Sequence, residues 1–305
     1  RVEAFFPSTS ANYINNRQNA GAIGSILENP EVMNGLRQAG GYLNYQTLDV
    51  EPEEQINQEE GEDHGYLMNT TELEEAFALL WIRLIGIAKQ EPAEVKPVGL
   101  LEALKIRVIS KGPPFTYTVL RSLWKFLHTV LRHHPCFKIG LNEPVTEELI
   151  LERMGHQLFE DELYVSGDYT AATDNLKSWA SEDCANAIAD ELGLYPVERE
   201  LLIRALTKHI IEGKPQETGQ LMGSIVSFPI LCIINATIGR WSMEVAQKEK
   251  ITLRDARLIV NGDDIAMRSK KAIVPIWRKI AAFAGLEESI GKCYFSQDFV
   301  NINST

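Results

Sequence analysis

Leu258-Ile259-Val260-Asn261-Gly262-Asp263-Asp264-Ile265-Ala266-Met267 is the stretch whose reading decides the fold. Two short apolar runs flank a glycine-bearing turn, the pattern of a β-hairpin. Its tip carries two adjacent carboxylates. Neighbouring side chains on an extended backbone point to opposite faces, so one carboxylate can aim into a cleft while the other faces sideways. A carboxylate held on a rigid hairpin suits a hard, oxygen-seeking cation such as Mg²⁺, which takes one or two carboxylates plus water and phosphate oxygens. Asn, Gly and Asp also make ordinary turns, so a chemical role must be supported from elsewhere in the chain.

Two further stretches supply that support. Leu163-Tyr164-Val165-Ser166 reads as a strand running straight into Gly167-Asp168, within Ser166-Gly167-Asp168-Tyr169-Thr170-Ala171-Ala172-Thr173-Asp174-Asn175. Asp168 at a strand end can meet Asp263 across neighbouring strands, and two such carboxylates make a site for a pair of divalent ions that assist phosphoryl transfer. Gly219-Gln220-Leu221-Met222-Gly223-Ser224-Ile225-Val226-Ser227 places two glycines four apart before an apolar helix. Such a loop lets backbone approach a phosphate or sugar, although glycine is also common loop punctuation.

Composition bounds the class. The 305 residues suffice for one large core or two smaller ones, and 45% hydrophobic with 24% charged content is ordinary for a globular protein. Cys136, Cys184, Cys232 and Cys293 are widely spaced, which suits reduced thiols better than a disulfide frame or zinc site. His133-His134-Pro135-Cys136 has no second pair to complete a metal site. The chain opens on Arg1 rather than Met, as a piece of a longer protein would. A net charge of −12 argues at first against nucleic acid, but the charge is segregated. Acids dominate from Asp49 to Glu94. From Lys96 to Lys138, Lys96, Lys105, Arg107, Lys111, Arg121, Lys125, Arg132 and Lys138 face only Glu102. A local basic stretch can hold a polyanion on an acidic chain.

Along the chain, residues 1–48 show no strong period and Glu51 to Asp63 reads as a solvated, mobile acidic loop. A core helix is expected from Thr71 to Gln90, opened by a capping box with Glu74. Leu104 to Ser110 alternates apolar and basic side chains as a strand, with Lys105 and Arg107 on one face. Helices are expected at 115–134 and from Pro144 to Phe159. A third begins with Ser181 as its cap and is stopped by Gly193, and others span Pro196 to Ile211, Val226 to Val245 and Pro275 to Ala284. Cys293 to Phe299 reads as a final strand or hairpin. The mixed order of strands and helices indicates an α+β fold.

Taken in order, these stretches resemble viral RNA-dependent RNA polymerases, most of all those of the narnavirus, ourmiavirus and levivirus assemblage. The resemblance covers residues 96–305: LKIRVISKGPP resembles the basic motif F, SGDYTAATDN motif A, GQLMGSIVSF motif B, VNGDD motif C, Gly285 to Lys292 motif D and YFSQDFVNINS motif E. It implies a right-hand polymerase with an antiparallel-sheet palm and largely helical fingers. The N-terminal region would be 1–95, with its acidic loop at 49–63, and the basic fingers 96–160. Motif A of the palm would occupy 161–190, a helical connection 191–218 and the remaining palm motifs 219–305. The thumb is expected to be absent or truncated, since the chain stops just after motif E.

The resemblance further implies that Asp168 and Asp263, supported by Asp264, hold two Mg²⁺ ions, with Mn²⁺ as a substitute. Lys105, Arg107 and Lys111 would grip the incoming triphosphate. Asp174 and Ser227 would sense the ribose 2′-hydroxyl, and Gly223 and Ser224 would line the nucleotide site. Lys292, with a pKa lowered toward neutrality, would protonate pyrophosphate, and Phe295 and Ser296 would belong to a primer-grip hairpin. Leu231 stands where many relatives carry a motif-B Asn, a departure from the pattern, and Asn235, one helical turn later, is the candidate substrate-binding residue in its place. The implied partners are an RNA template, nascent RNA and ribonucleoside triphosphates, with no membrane span, in the host cytoplasm or mitochondrion. A reverse transcriptase would share Asp168 and Asp263, but Gly262 and Asp174 favour ribonucleotides. An inactive relic that keeps the fold is the other alternative.

Overall fold

The computed structural model describes residues 9–35, 70–103 and 105–303, without the side chains of residues 70–77. The expected acidic loop lies outside the described residues, as do the side chains of the capping box expected at Thr71. The chain divides into two compact units, Arg1–Glu91 with Pro113–Val119, and Pro92–Gly112 with Leu120–Thr305.

In the first unit, α1 is Gly21–Leu27, α2 is Thr70–Gln90 and α3 is Pro114–Val119. Glu91, just past α2, caps the start of α3. Its carboxylate accepts the N–H groups of Phe115 at 3.1 Å and Thr116 at 2.7 Å, and the Thr116 hydroxyl at 2.8 Å. Negative charge there complements the helix dipole. The expectation that α2 is a core helix holds for one face only: Leu84 and Ala88 are buried while Leu79 and Ile82 are exposed.

The second unit contains two four-stranded sheets. The strands of the first are β1 (Glu94–Glu102), β2 (Lys105–Lys111), β4 (Ile210–Ile211) and β5 (Lys214–Pro215), in the order β2-β1-β4-β5. β1 and β2 form an antiparallel hairpin from Lys96↔Lys111 to Glu102↔Lys105. The basic strand was legible in the sequence; its partner β1 was not, because Pro97 and Gly99 weaken the strand pattern. The period of two puts Lys105, Arg107, Lys111, Lys96 and Glu102 on one face of the hairpin.

The second sheet consists of β3 (Glu162–Gly167), β6 (Leu258–Asn261), β7 (Asp264–Lys270) and β8 (Tyr294–Ser296), antiparallel throughout in the order β6-β7-β3-β8. Its helices are α4 (Arg121–His133), α5 (Glu147–Met154), α6 (Ser178–Leu192), α7 (Pro196–Thr207), α8 (Ser227–Gln247) and α9 (Ile273–Phe283). Both faces of this sheet are covered, which explains the unbroken apolar runs of β6 and β7. α8 and α9 lie on one face. A Cβ on Gly239 of α8 would meet Ile265 at 2.7 Å, and one on Gly167 would meet Trp277 of α9 at 2.8 Å. The other face packs Tyr164, Ile259 and Ala266 against Ile139, Met154 and Ile302.

Several helix limits differ from expectation. The run expected at 115–134 is two helices, α3 and α4, with a turn at Leu120; apolar periodicity alone does not register such a joint. α5 starts at Glu147 rather than Pro144, because Thr146 caps it through Leu149 N–H. α7 stops at Thr207, and the following residues leave it for β4. Ser181 lies inside α6 instead of capping it; it is fully buried and accepts a 2.9 Å hydrogen bond from Gln220. Gly193 ends that helix as expected, at φ +63°. Among the described residues no helix is long and apolar enough to cross a membrane.

One buried ion pair ties β3 to β7. Arg268, 3% exposed, holds Glu162 through Nη2 at 2.5 Å and Nε at 2.9 Å, and also donates to Met154 O at 2.9 Å. Burial would raise Glu162, but the Phe159 N–H and the Arg268 guanidinium outweigh it and hold the carboxyl below its ordinary value. A depressed carboxyl contributes stability above its unfolded pKa and loses it as pH falls through the folded one. Glu162→Gln is therefore expected to cost about 3 kcal/mol at pH 7. The loss should shrink below about pH 4.5, as urea unfolding at several pH values would show.

Candidate active site

The turn between β6 and β7 is the two-residue loop Gly262-Asp263, closed by the pair Asn261↔Asp264. Gly262 sits at its first central position with φ +66°, the glycine-first geometry that fits the twist of paired strands. A Cβ there would also press on the Phe228 ring at 3.2 Å. β3 pairs with β7 through Gly167↔Ile265, so the next residue in register brings Asp168 beside Asp264. Three carboxylates thus emerge at one end of the sheet, as their spacing in the sequence suggested.

Their electrostatics carry the mark of this crowding. Burial raises Asp263, and the Asp168 charge raises it further; Lys292 and Arg107 are near enough to offset part of this. Asp264 is pushed up to about 6, first by burial and then by Asp263 and Asp168. Lys292 reaches in from the segment before β8, its Nζ 3.0 Å from Asp168 Oδ2, while its side chain stays 69% exposed. The expected lowering of its pKa is not met. The Asp168 carboxylate raises it, because an ammonium paired with an anion holds its proton more tightly.

The segment carrying Lys292 is docked on the backbone around Asp168. Ser289 N–H donates to Asp168 O at 2.9 Å, and Cys293 Sγ lies 3.2 Å from Asp168 N and 3.1 Å from its O. Phe295 of β8 packs beneath, with its ring centroid 6.3 Å from that of Trp277 and the Arg278 guanidinium 4.9 Å from it. Phe295 is half-buried by these contacts.

The basic strand β2 joins this site through the glycine loop. Ser110 N–H donates to Met222 O at 2.7 Å, and Arg107 Nη1 lies 3.7 Å from Met222 Sδ. Gly223, at φ +111°, lets the two backbones touch; a Cβ would sit 2.3 Å from Ser110 O. Lys105 and Arg107 share one counter-ion, Glu102, at 3.4 Å and 2.7 Å. Glu102 is held below its ordinary value chiefly by the Arg107 hydrogen bond.

Asp174 is exposed on a single helical turn, Ala172–Asn175, pinned to the loop by Gln220 N–H donating to Thr173 O at 2.6 Å. Of the other expected sugar and nucleotide contacts, Gly223 is exposed, while the side chains of Ser224, Ser227 and Asn235 turn inward. The Ser224 hydroxyl bonds to Ala205 O, and the Ser227 hydroxyl donates to Gln220 Oε1 at 2.8 Å. Both serines are buried. Asn235 is fully buried beneath the turn, donating to Gly262 O at 3.1 Å and Asp263 O at 3.0 Å. These three belong to the framework of the site rather than its open face. Sequence reasoning missed Gln220, Ser181, Tyr169 and Trp277. Gln220 and Tyr169 lie in loops and Ser181 and Trp277 in helices, and no local signal names the distant partner of any of them.

No family model matches the chain. Over 244 residues it is 37% identical to the RNA-dependent RNA polymerase of Ourmia melon virus (isolate Melon/Iran/VE9), a match covering 72% of this chain and 28% of that one. The chain belongs with the viral RNA-dependent RNA polymerases. It spans little more than a quarter of that relative's length. The RNA-dependent RNA polymerase of a human picorbirnavirus shares the fold, with a TM-score of 0.51, 12% identity and coverage of 68% of this chain and 41% of that one. The insertion loop deletion mutant of such an enzyme gives 0.53, 13%, 70% and 43%. Polymerase-family membership and the α+β architecture agree with what the ordered motifs implied.

Proposed function

We propose that this chain carries the RNA-synthesis centre of a viral polymerase, adding ribonucleotides to a nascent strand on an RNA template. The observation that carries the reading is the meeting of Asp168 with Asp263 and Asp264 at the end of neighbouring strands, beside the basic face of β2. In this reading the sheet of β3, β6, β7 and β8 is the palm, and the β1–β2 hairpin belongs to the fingers.

The residues suit divalent cations in chemistry. All three donors are hard carboxylate oxygens, and Asp264 is raised to about 6 first by burial and then by its two acidic neighbours, whose mutual repulsion a divalent cation would relieve. Among the described residues no three such side chains already converge at ligand spacing; Lys292 is the cation on Asp168 in their present arrangement. Asp168 and Asp263 would hold Mg²⁺ or Mn²⁺, with Asp264 assisting. Such ions, when bound, supply charge stabilisation to the attacking and leaving oxygens of nucleotidyl transfer.

The remaining roles fall to the chain itself. Lys105, Arg107 and Lys111 bind the triphosphate, for which Glu102 yields its two cations. Lys292, protonated across neutral pH, serves first as a fixed positive charge beside Asp168. It becomes a proton donor to pyrophosphate once that pairing is released. Asp174 reads the ribose 2′-hydroxyl. The setting is viral genome replication in the host cytoplasm or mitochondrion.

Primer extension on an RNA template with Mg²⁺ tests the reading. Ribonucleotide incorporation that is lost in Asp263→Asn is the expected result. Incorporation of deoxyribonucleotides instead would make the chain a reverse transcriptase, and none at all, even in a longer piece of the protein, would make it a relic. Asp174→Ala is expected to erode ribose preference by about tenfold or more, the scale of one lost hydrogen bond to a charged group. Ratios of kcat/KM for paired ribo- and deoxyribonucleotides measure it, and an unchanged ratio would remove Asp174 from the sugar site.

A further inference from the structure

Asn235 lies on α8 directly beneath the acidic turn, with 0% exposure. Its Nδ2 donates to Gly262 O at 3.1 Å and Asp263 O at 3.0 Å, with Asp264 O at 3.5 Å. Its Oδ1 accepts the Tyr169 hydroxyl at 3.0 Å, and that hydroxyl accepts Trp277 Nε1–H at 3.1 Å. The partners determine the amide's orientation. Turned over, it would set an oxygen against three carbonyls and a nitrogen against a hydroxyl already engaged by the indole. Cys232, about one helical turn earlier, accepts Gly262 N–H at 3.2 Å.

The connectivity gives this chain its meaning. Tyr169 directly follows Asp168, and Gly262, Asp263 and Asp264 are the acidic turn. The strand ladder reaches only to Asn261↔Asp264, so it leaves the Gly262 and Asp263 carbonyls without a strand partner. Asn235 satisfies them away from water, and the same amide reaches the other carboxylate-bearing segment through Tyr169. Trp277 on α9, fully buried, anchors the far end.

We propose that Asn235 is a positioning residue that holds the Asp263–Asp264 turn in register with Asp168, through the buried chain Trp277–Tyr169–Asn235. This rests on the reading of the site as a centre of RNA synthesis, and it replaces sugar contact as the role of Asn235. The amide sets the depth of the turn, and the phenol sets the spacing between the two segments.

Two variants test this in the full chain. Asn235→Ala removes the whole junction, while Tyr169→Phe keeps the ring and removes only the hydroxyl link. Mn²⁺ binding, followed by the electron paramagnetic resonance signal of the free ion, reads the carboxylate arrangement without turnover. Primer extension supplies kcat, nucleotide KM and the preference for ribose over deoxyribose.

Asn235→Ala should weaken Mn²⁺ binding about tenfold and lower kcat about 100-fold, the range for residues that orient metal ligands. Nucleotide KM and ribose preference should stay within about twofold, since nothing that touches the sugar has changed. Tyr169→Phe should give about tenfold of the loss in kcat, and the double variant should fall no further than Asn235→Ala, because the hydroxyl acts through the amide. A folded Tyr169→Phe protein with wild-type Mn²⁺ affinity and kcat overturns the proposal, and it decides the matter if Asn235→Ala does not fold. Loss of ribose preference alone in Asn235→Ala also overturns it, as does a wild-type chain that binds no Mn²⁺. If the wild-type chain binds Mn²⁺ but adds no nucleotide, the polymerase reading fails separately and the Mn²⁺ comparison still decides this one.

Discussion

Asp263→Asn should lower nucleotide incorporation by about 10³-fold or more while making the protein slightly more stable. The activity loss follows from the proposed role: a neutral amide supplies a far weaker ligand than a carboxylate, and single groups that stabilise charge in phosphoryl transfer contribute about 10³–10⁵. The stability gain follows from the present electrostatics. Burial and the Asp168 charge raise Asp263, so its ionised form is disfavoured in the folded protein. A carboxyl with a raised folded pKa stabilises the fold at low pH and opposes it once pH climbs through that value. At pH 7 the charge is a strain on the native state, and removing it should lift the melting temperature by about 1–3 °C. After burial, the Asp263 charge does most to raise Asp264, so Asp264 should also ionise more easily in the variant. Single-turnover extension and thermal melting of the same preparation check both halves. A variant that melts lower, or that turns over normally, would remove Asp263 from the role assigned to it.

Gly223→Ala should be a strongly damaging addition in the site. Two independent penalties coincide there. The φ of +111° is one that residues with a Cβ rarely adopt, and the added carbon would stand 2.3 Å from Ser110 O. That neighbour is backbone, held by Ser110 N–H donating to Met222 O, so it cannot swing aside as a flexible side chain would. The loop must lift from β2, breaking that hydrogen bond and withdrawing Met222 from Arg107. A cost of about 2–4 kcal/mol is expected from the strain and the lost contact together. If Arg107 receives the triphosphate, as proposed, nucleotide KM should rise more than kcat falls. Gly213→Ala is the control: its φ is also positive, at +79°, but a Cβ there meets nothing within 4 Å. It should cost less than half as much and leave KM unchanged. Urea unfolding and steady-state extension of both variants separate strain from collision.

What was legible in the sequence was whatever repeats along the chain with a local period or a local turn. The hairpin at 258–267, the strand ending at Asp168, the basic strand and the long apolar helix after Gly223 all have signals a few residues wide. In each case the structure differs by three residues at most. The order of those signals was enough to indicate an α+β polymerase-like chain, and the acids of the site could be named because strand ends and turns are local features. Failures fell where the signal was diluted or shared. Pro97 and Gly99 obscured β1, and a continuous apolar period concealed the turn at Leu120.

The tertiary structure alone decided which polar side chains face the open site and which hold it up. Ser224, Ser227 and Asn235 have the residue types of substrate contacts, yet each is buried on a backbone carbonyl or a glutamine. Lys292 carries the residue type of a proton donor, but its pKa direction was set by Asp168, 124 positions earlier in the sequence. The sequence by itself determined the elements and the carboxylates, because backbone geometry follows from neighbouring residues. Hydrogen-bond partners and charge environments were decided only by folding, because they depend on which distant groups the packed core brings within 3 Å.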